Sequence, residues 1–519
     1  MRFFVDADSA HAPPAWEKTQ FINIEGLPYL RRVRWEPPYL ILDRGETDSG
    51  HLLCAWQTAQ HGQIALTTGT LIERAAPYHL GTELARGTLN RVRNQTAMWQ
   101  IAGMSMPDDL QPLTKAAIQW LARAVTSEED PQQLKTFAQL SLDLSLQAIH
   151  SLTQSYARQT AVARARQTPK QIVLIGAQVP LATPPTGWPA SLETACNTIG
   201  LSVSWKEIEI AEGEYSWTAL DRSLAWSQSQ NLRVCLGPIL DWGAGAFPDW
   251  LTLWEDDFDN LLTVTTDFVR RVVTRYKGRV QLWNAASKIN TTPVWVLSDE
   301  QRLRLAVKIL ETIREVDPRT PLILTIDQPT GECLAESAGE LTPWHFVDAL
   351  CRAELGLAGL GLEYRLGFAT GESLPRDPLA ICQQLDLWSM LNLPLLLFLQ
   401  YAPQLPHPEQ AQSRWLQDVG PVILGKQAVQ GLFWNTLVDG PQTAPAASSK
   451  SVDTTGPAPG DTTKLDFSGQ IRGSQPPVGD TPAATASGPP ILPLGLYDQN
   501  LRAKAILSVL RELRLKYGN

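Results

Sequence analysis

The chain has 519 residues, with 44 Lys and Arg against 53 Asp and Glu, so its formal net charge is −9. A single hydrophobic core stops growing near about 250–300 residues, so this length requires more than one unit. At 44% hydrophobic and 19% charged residues the composition is globular, which excludes a disordered or collagen-like chain, and the acidic balance argues against a nucleic-acid partner.

No run reaches the roughly 18–20 apolar residues of a membrane span; the longest, Leu393 to Leu399, has the length of a strand. No membrane partner is expected. The first residues carry no cationic stretch followed by an apolar run and a cleavage site, so a cytoplasmic location is the default expectation. Cys54, Cys196, Cys235, Cys333, Cys351 and Cys382 are widely spaced and read as free core thiols. The histidines, His11, His51, His61, His79, His150, His345 and His407, never sit beside cysteine or carboxylate at zinc spacing. Neither a metal nor a cofactor is expected.

In chain order, residues 1–100 begin with short apolar stretches between turn residues, such as Tyr39-Leu-Ile-Leu42 and His51-Leu-Leu-Cys-Ala-Trp56. This pattern predicts a small β-sandwich, a carbohydrate-binding-like module by analogy of fold alone. Trp56, Trp99 and Trp120 read as core residues, and the basic run Arg86 to Asn94 as a solvated turn or helix face. Within 101–168, Leu113 to Val125 and Gln133 to Arg166 have helical spacing, predicting two long helices.

From residue 169 the pattern changes to strand-like runs alternating with helices. Ile172 to Ile175, Gly200 to Ser204, Leu232 to Leu236, Val280 to Trp283, Pro321 to Ile326, Gly359 to Leu362, Pro394 to Phe398 and Gln430 to Trp434 make eight strands. That is the number that closes a (β/α)8 TIM barrel, an α/β fold whose working face lies at the C-terminal strand ends. The barrel occupies 169–440 and 491–519; the Pro, Gly, Ser and Thr-rich stretch 441–490 between them predicts a disordered insertion. Leu501 to Lys516 is expected to complete the barrel wall as a helix.

The barrel half resembles glycoside hydrolase family 10, the xylanase-type enzymes. Arg275-Tyr-Lys-Gly-Arg-Val-Gln-Leu-Trp283 is the most specific piece, and Trp205-Lys-Glu-Ile-Glu209, Glu212 to Trp217 with Asp221, Gly237 to Trp242, Phe247-Pro-Asp-Trp250, Asp327, Gly359-Leu-Gly-Leu362 and Trp434 to Asp439 follow in the family's order. The resemblance implies a retaining mechanism with one glutamate as acid/base and another as nucleophile. Against the family's pattern, Trp283-Asn-Ala-Ala-Ser-Lys288 puts Lys288 at the acid/base position, and Pro394 to Leu399 puts Leu399, followed by Gln400, at the nucleophile position. An ammonium of ordinary pKa is a poor general acid near neutrality, and leucine cannot attack a sugar.

Glu363 and Arg365, two apart on one strand, share a face and read first as an ion pair filling the former site. Glu363 is also a candidate relocated carboxylate, with Asp327 or Asp241 as partner, although pairing with Arg365 would lower its pKa. Lys288 reads as a space-filling partner of Glu363, with a Schiff-base lysine as the alternative if it is desolvated. Trp205, Trp242, Trp250 and Trp434 lie near strand ends and are candidates for stacking on sugar rings, equally readable as core. Trp205, Trp242 and Trp434, with Lys288, Arg365 and Gln400, make up the candidate substrate-binding set. Three readings stay open: a glycan-binding relative without the family's hydrolysis, an active glycosidase with relocated carboxylates, and an interaction scaffold with an unknown protein partner.

Overall fold

The computed structural model describes residues 1–5, 16–24, 26, 28–29, 31–45, 47–127, 129–167, 172–181, 188–254, 256–335, 341–403, 405–441 and 491–518. His11 and all but the first residue of the predicted 441–490 insertion lie outside them. The chain departs at Gly440–Pro441 and returns at Ile491–Leu492, two segments that pair antiparallel.

The N-terminal part has two four-stranded sheets. One contains Arg2–Phe4, Arg31–Glu36, Tyr39–Arg44 and Tyr78–His79; the other contains Gln20–Ile22, Pro28–Tyr29, His51–Thr58 and Gly62–Thr67. Phe3, Leu40 and Leu42 from the first meet Phe21, Leu52 and Leu66 from the second in one core. Helices Leu80–Ile101 and Pro131–Gln167 close that core with Leu84, Val92, Leu146 and Ile149, and helix Leu110–Thr126 packs outside them.

The first of these helices departs from the sequence expectation: it lies within 1–100, and the basic run Arg86 to Asn94 is on it. Gly81 and Gly87 argue against a helix on propensity. Gly87 is there for contact, because a Cβ on it would come within 2.1 Å of the Thr67 carbonyl. Trp56 and Trp99 are core residues, the latter stacked on Tyr156 with ring centroids 4.4 Å apart.

The second part is a closed barrel of eight parallel strands: Leu174–Val179, Thr198–Leu201, Arg233–Leu236, Leu282–Asn284, Leu322–Asp327, Gly359–Leu366, Leu395–Tyr401 and Val429–Trp434, referred to as strands one to eight. Successive side chains alternate between two cores. Cys235, Leu282, Ile323, Leu396, Phe398 and Phe433 fill the interior, while Leu397, Leu399, Leu432 and Trp434 face the helices. Gly361 makes room inside, since a Cβ there would come within 2.2 Å of Thr325 Oγ1 and 3.0 Å of Phe398. Helix Ala505–Tyr517 completes the wall as expected.

Among the described residues, which include all six cysteines, no disulfide forms; five of the cysteines are buried and Cys351 partly so. Among the described residues no helix is long and apolar enough to cross a membrane.

Candidate functional site at the barrel mouth

The C-terminal strand ends carry a cluster of charges. Leu240–Asp241 runs parallel to Ala286–Ser287 as an extension of strands three and four, which sets Asp241 beside Lys288. The Lys288 ammonium donates to both Asp241 oxygens at 2.8 and 2.9 Å. Burial pushes the Asp241 carboxyl up, but Lys288 outweighs it and the group lies below its usual range. Burial likewise pulls Lys288 down, and Asp241 and Glu363 outweigh that, so it stays cationic. Its backbone holds φ 58°, a left-handed conformation uncommon outside glycine, and Thr292 in the same loop and Gln328, just after strand five, also have positive φ.

Strands five and six supply the second ion pair. Arg365 donates to the two Asp327 oxygens at 2.8 and 3.0 Å, and Thr291 donates to Asp327 at 3.1 Å. Asp327 is buried, and its backbone N–H is held by Asn290 at 3.0 Å.

Glu363, buried between these pairs, is differently placed. One oxygen accepts from Asn435 at 3.2 Å and lies 3.7 Å from Arg365 Nε; the other is buried with no hydrogen-bond partner within the protein. Burial raises the Glu363 carboxyl above its usual range, and Lys288 and Arg365 only partly offset this. Arg365 does lower it, as expected, but by less than burial raises it, because Asp327 is the closer partner of Arg365, as Asp241 is of Lys288. With its folded-state pKa above that of the unfolded chain, Glu363 binds more protons folded than unfolded between the two values, so stability falls as pH rises through that window. Glu363→Gln is accordingly expected to be more stable than the parent at neutral pH, a gain that vanishes near about pH 4, measurable as denaturation midpoints across pH.

Leu399 does not face the mouth. It is buried in the outer core, and the interior side chains of its strand are Leu396 and Phe398, so the two-residue period brings Gln400 to the mouth, paired in register with Arg365. The tryptophans also differ from the stacking expectation. Trp205 is stacked on Phe268 at 4.5 Å and bonded to Glu209; Trp242 is fully buried against Phe247; Trp434 is fully buried in the outer core, donating to the Leu494 carbonyl. Their faces are occupied by protein. Trp250, partly buried, meets Trp205 edge-on at 6.2 Å.

Residues not singled out from the sequence complete the mouth. Asn435 follows Phe433 on the interior face, and Gln178 follows Gly176; the same two-residue period would have found both. Gln178 Oε1, Asn284 Nδ2 and Ser287 Oγ are buried without partners in the protein. A cavity of about 360 Å³ opens beside Gln178, lined also by Pro180, Ser202, Ser204, Glu207 and Asn435 among others. Another of about 390 Å³, around Asn197, Arg233 and Arg514, lies at the opposite barrel end and includes none of the candidate residues. Among the described residues no three His, Cys, Asp or Glu side chains come together to hold a metal ion.

Residues 189–291, covering strands two to four with Asp241 and Lys288, match the family model described as glycosyl hydrolase family 10. This is a glycosyl hydrolase family 10-like barrel. Similar solved structures include xylanase 10B from Thermotoga petrophila RKU-1 in complex with xylobiose, at 13% identity and TM-score 0.46 over 71% of this chain and 98% of that one. Native xylanase 10B from Thermotoga maritima is 14% identical with TM-score 0.45, over 66% and 95%. The family 10-like barrel accounts for the resemblance in strands two to four; the sandwich and helices before it are additional to it.

Proposed function

We propose that this chain binds a glycan at the barrel mouth and does not cleave it by the family's two-glutamate route. The observation that carries this reading is the state of the mouth: Asp241 is matched to Lys288, Asp327 to Arg365, and the end of strand seven offers the amide Gln400. A nucleophilic carboxylate must be free to reach the anomeric carbon, and a carboxylate held by a guanidinium or ammonium is a weaker nucleophile and base. The partnerless Oε1 of Gln178 and the cavity it lines with Ser202, Ser204 and Asn435 suit a ligand rich in hydroxyl groups.

Calorimetric titration with a panel of neutral oligosaccharides, xylo-oligosaccharides included, tests the reading. Binding weakened about tenfold in Asn435→Ala, with the fold intact by circular dichroism, is the expected result; no heat with any glycan would sink it.

One observation favours a second reading. Glu363 combines a raised pKa with an unpartnered oxygen, the features of a general acid. On that reading Glu363 protonates a leaving group, and hydrolysis disappears in Glu363→Gln.

A further inference from the structure

The mouth has two kinds of wall. On one side Trp205, Phe247 and Trp295 tie the loops after strands two, three and four together through edge-on ring contacts. On the other side the N-terminal sandwich is the support. Gly331, after strand five, lies against Pro28, and Gly62 lies against Leu405, after strand seven. The segment after strand six, residues 367–376, is the most firmly held.

Strand Gly62–Thr67 is the edge of its sheet, paired on one side with His51–Thr58. An unpaired edge exposes backbone donors and acceptors, and here the barrel covers it: Ala65 N–H donates to the Pro375 carbonyl at 2.7 Å, and Ala65 bridges Arg376 in parallel. Leu374 is buried among Leu53, Ala55 and Ala65, with Phe368 packed against the same cluster. Lys18, itself buried, donates its ammonium to the carbonyls of Ala369 and Glu372 across the turn of this segment. The segment then folds back on strand six, where Ser373 N–H donates to the Arg365 carbonyl at 2.8 Å and the Ser373 carbonyl accepts from Gly367 N–H at 2.9 Å. Arg365 is the residue that holds Asp327.

We propose that Lys18 is a positioning residue for the barrel mouth, fixing the turn at 369–372 and, through Ser373, the Arg365 side of the Arg365–Asp327 pair. The sandwich is then a structural part of the mouth rather than a separately tethered module. The contacts run continuously from Lys18 to Asp327, and each is a hydrogen bond or ion pair to a named atom. The consequence for ligand binding rests on the glycan reading above; the positioning itself does not.

Hydrogen exchange read by mass spectrometry on the full-length chain, without ligand, tests it. In Lys18→Met, which removes the ammonium from two carbonyls of the turn and leaves the Ala369 carbonyl only Glu372 N–H, exchange at Gly367, Ser373, Leu374 and Arg365 is expected to rise about tenfold while strands one to three keep their protection. Lys18→Arg, which can still donate to both carbonyls, is expected to restore protection. Phe368→Ala, which thins the same seam at a partly buried position, provides a second variant with the same expectation should Lys18→Met fail to fold. Parental protection in residues 367–376, loosening spread evenly over the barrel, or a loose turn with an unchanged Arg365 would each overturn the proposal. If the parent binds a glycan, its affinity should fall about tenfold in Lys18→Met and return in Lys18→Arg. A parent that binds no glycan counts against the proposed function and leaves Lys18 to be judged by exchange.

Discussion

Replacing Arg376 by methionine is expected to cost about 3–5 kcal/mol of stability, the range seen when one member of a buried ion pair is removed. Arg376 donates to Glu332 at 2.8 Å, and both side chains are buried in the seam between sandwich and barrel. Burial alone would push the Glu332 carboxyl up; Arg376, with Thr330 and Lys18, outweighs that and holds it below the usual range. Without Arg376 the Glu332 charge has lost its nearest cation, and the Leu374 N–H and Ser373 hydroxyl that donate to Glu332 are bound to a group driven toward its neutral form. Guanidinium titration of parent and variant gives the cost, and Glu332→Gln combined with Arg376→Met should recover part of it. A loss under about 1 kcal/mol would show that the seam does not depend on this pair.

Trp434→Ala is expected to destabilise by about 3–5 kcal/mol, because it removes a fully buried indole from the outer barrel core and frees the Leu494 carbonyl that its N–H satisfies. A tryptophan used for sugar stacking would behave otherwise, losing affinity with little change in stability. Trp205→Ala should behave in the same way, since its N–H bonds Glu209 at 2.6 Å and its ring is sandwiched in the core. Denaturation midpoints and glycan titrations on the same preparations separate the two roles.

These cases show which parts of the molecule were legible in the sequence. All eight barrel strands could be placed, because each is a short apolar run between turn residues and their order admits one closure. The face each strand presents was harder. A slip of one residue exchanges interior and exterior, and aligning Leu399 rather than Gln400 with the nucleophile position made that slip; Phe398 stacking on Phe433 at 5.0 Å inside the barrel fixes the phase. The helix Leu80–Ile101 is hidden from propensity because Gly87 serves its close approach to Thr67 at the end of strand Gly62–Thr67, and tertiary contact overrides propensity. The partner of Arg365 comes from the neighbouring strand Leu322–Asp327, so the pattern on a single strand suggested Glu363 in place of Asp327.

The relation between charge and chemistry at the mouth is the centre of this account. Asp241 and Asp327 are each bonded to a cation, while Glu363 is kept toward its neutral form by burial. A sensitive turnover assay with an activated aryl xyloside and with xylo-oligosaccharides, run on the parent, Glu363→Gln and Asp327→Asn, addresses it directly. The account predicts release at the uncatalysed background for all three proteins, alongside glycan binding by the parent; turnover in the parent that is abolished by either substitution would contradict it.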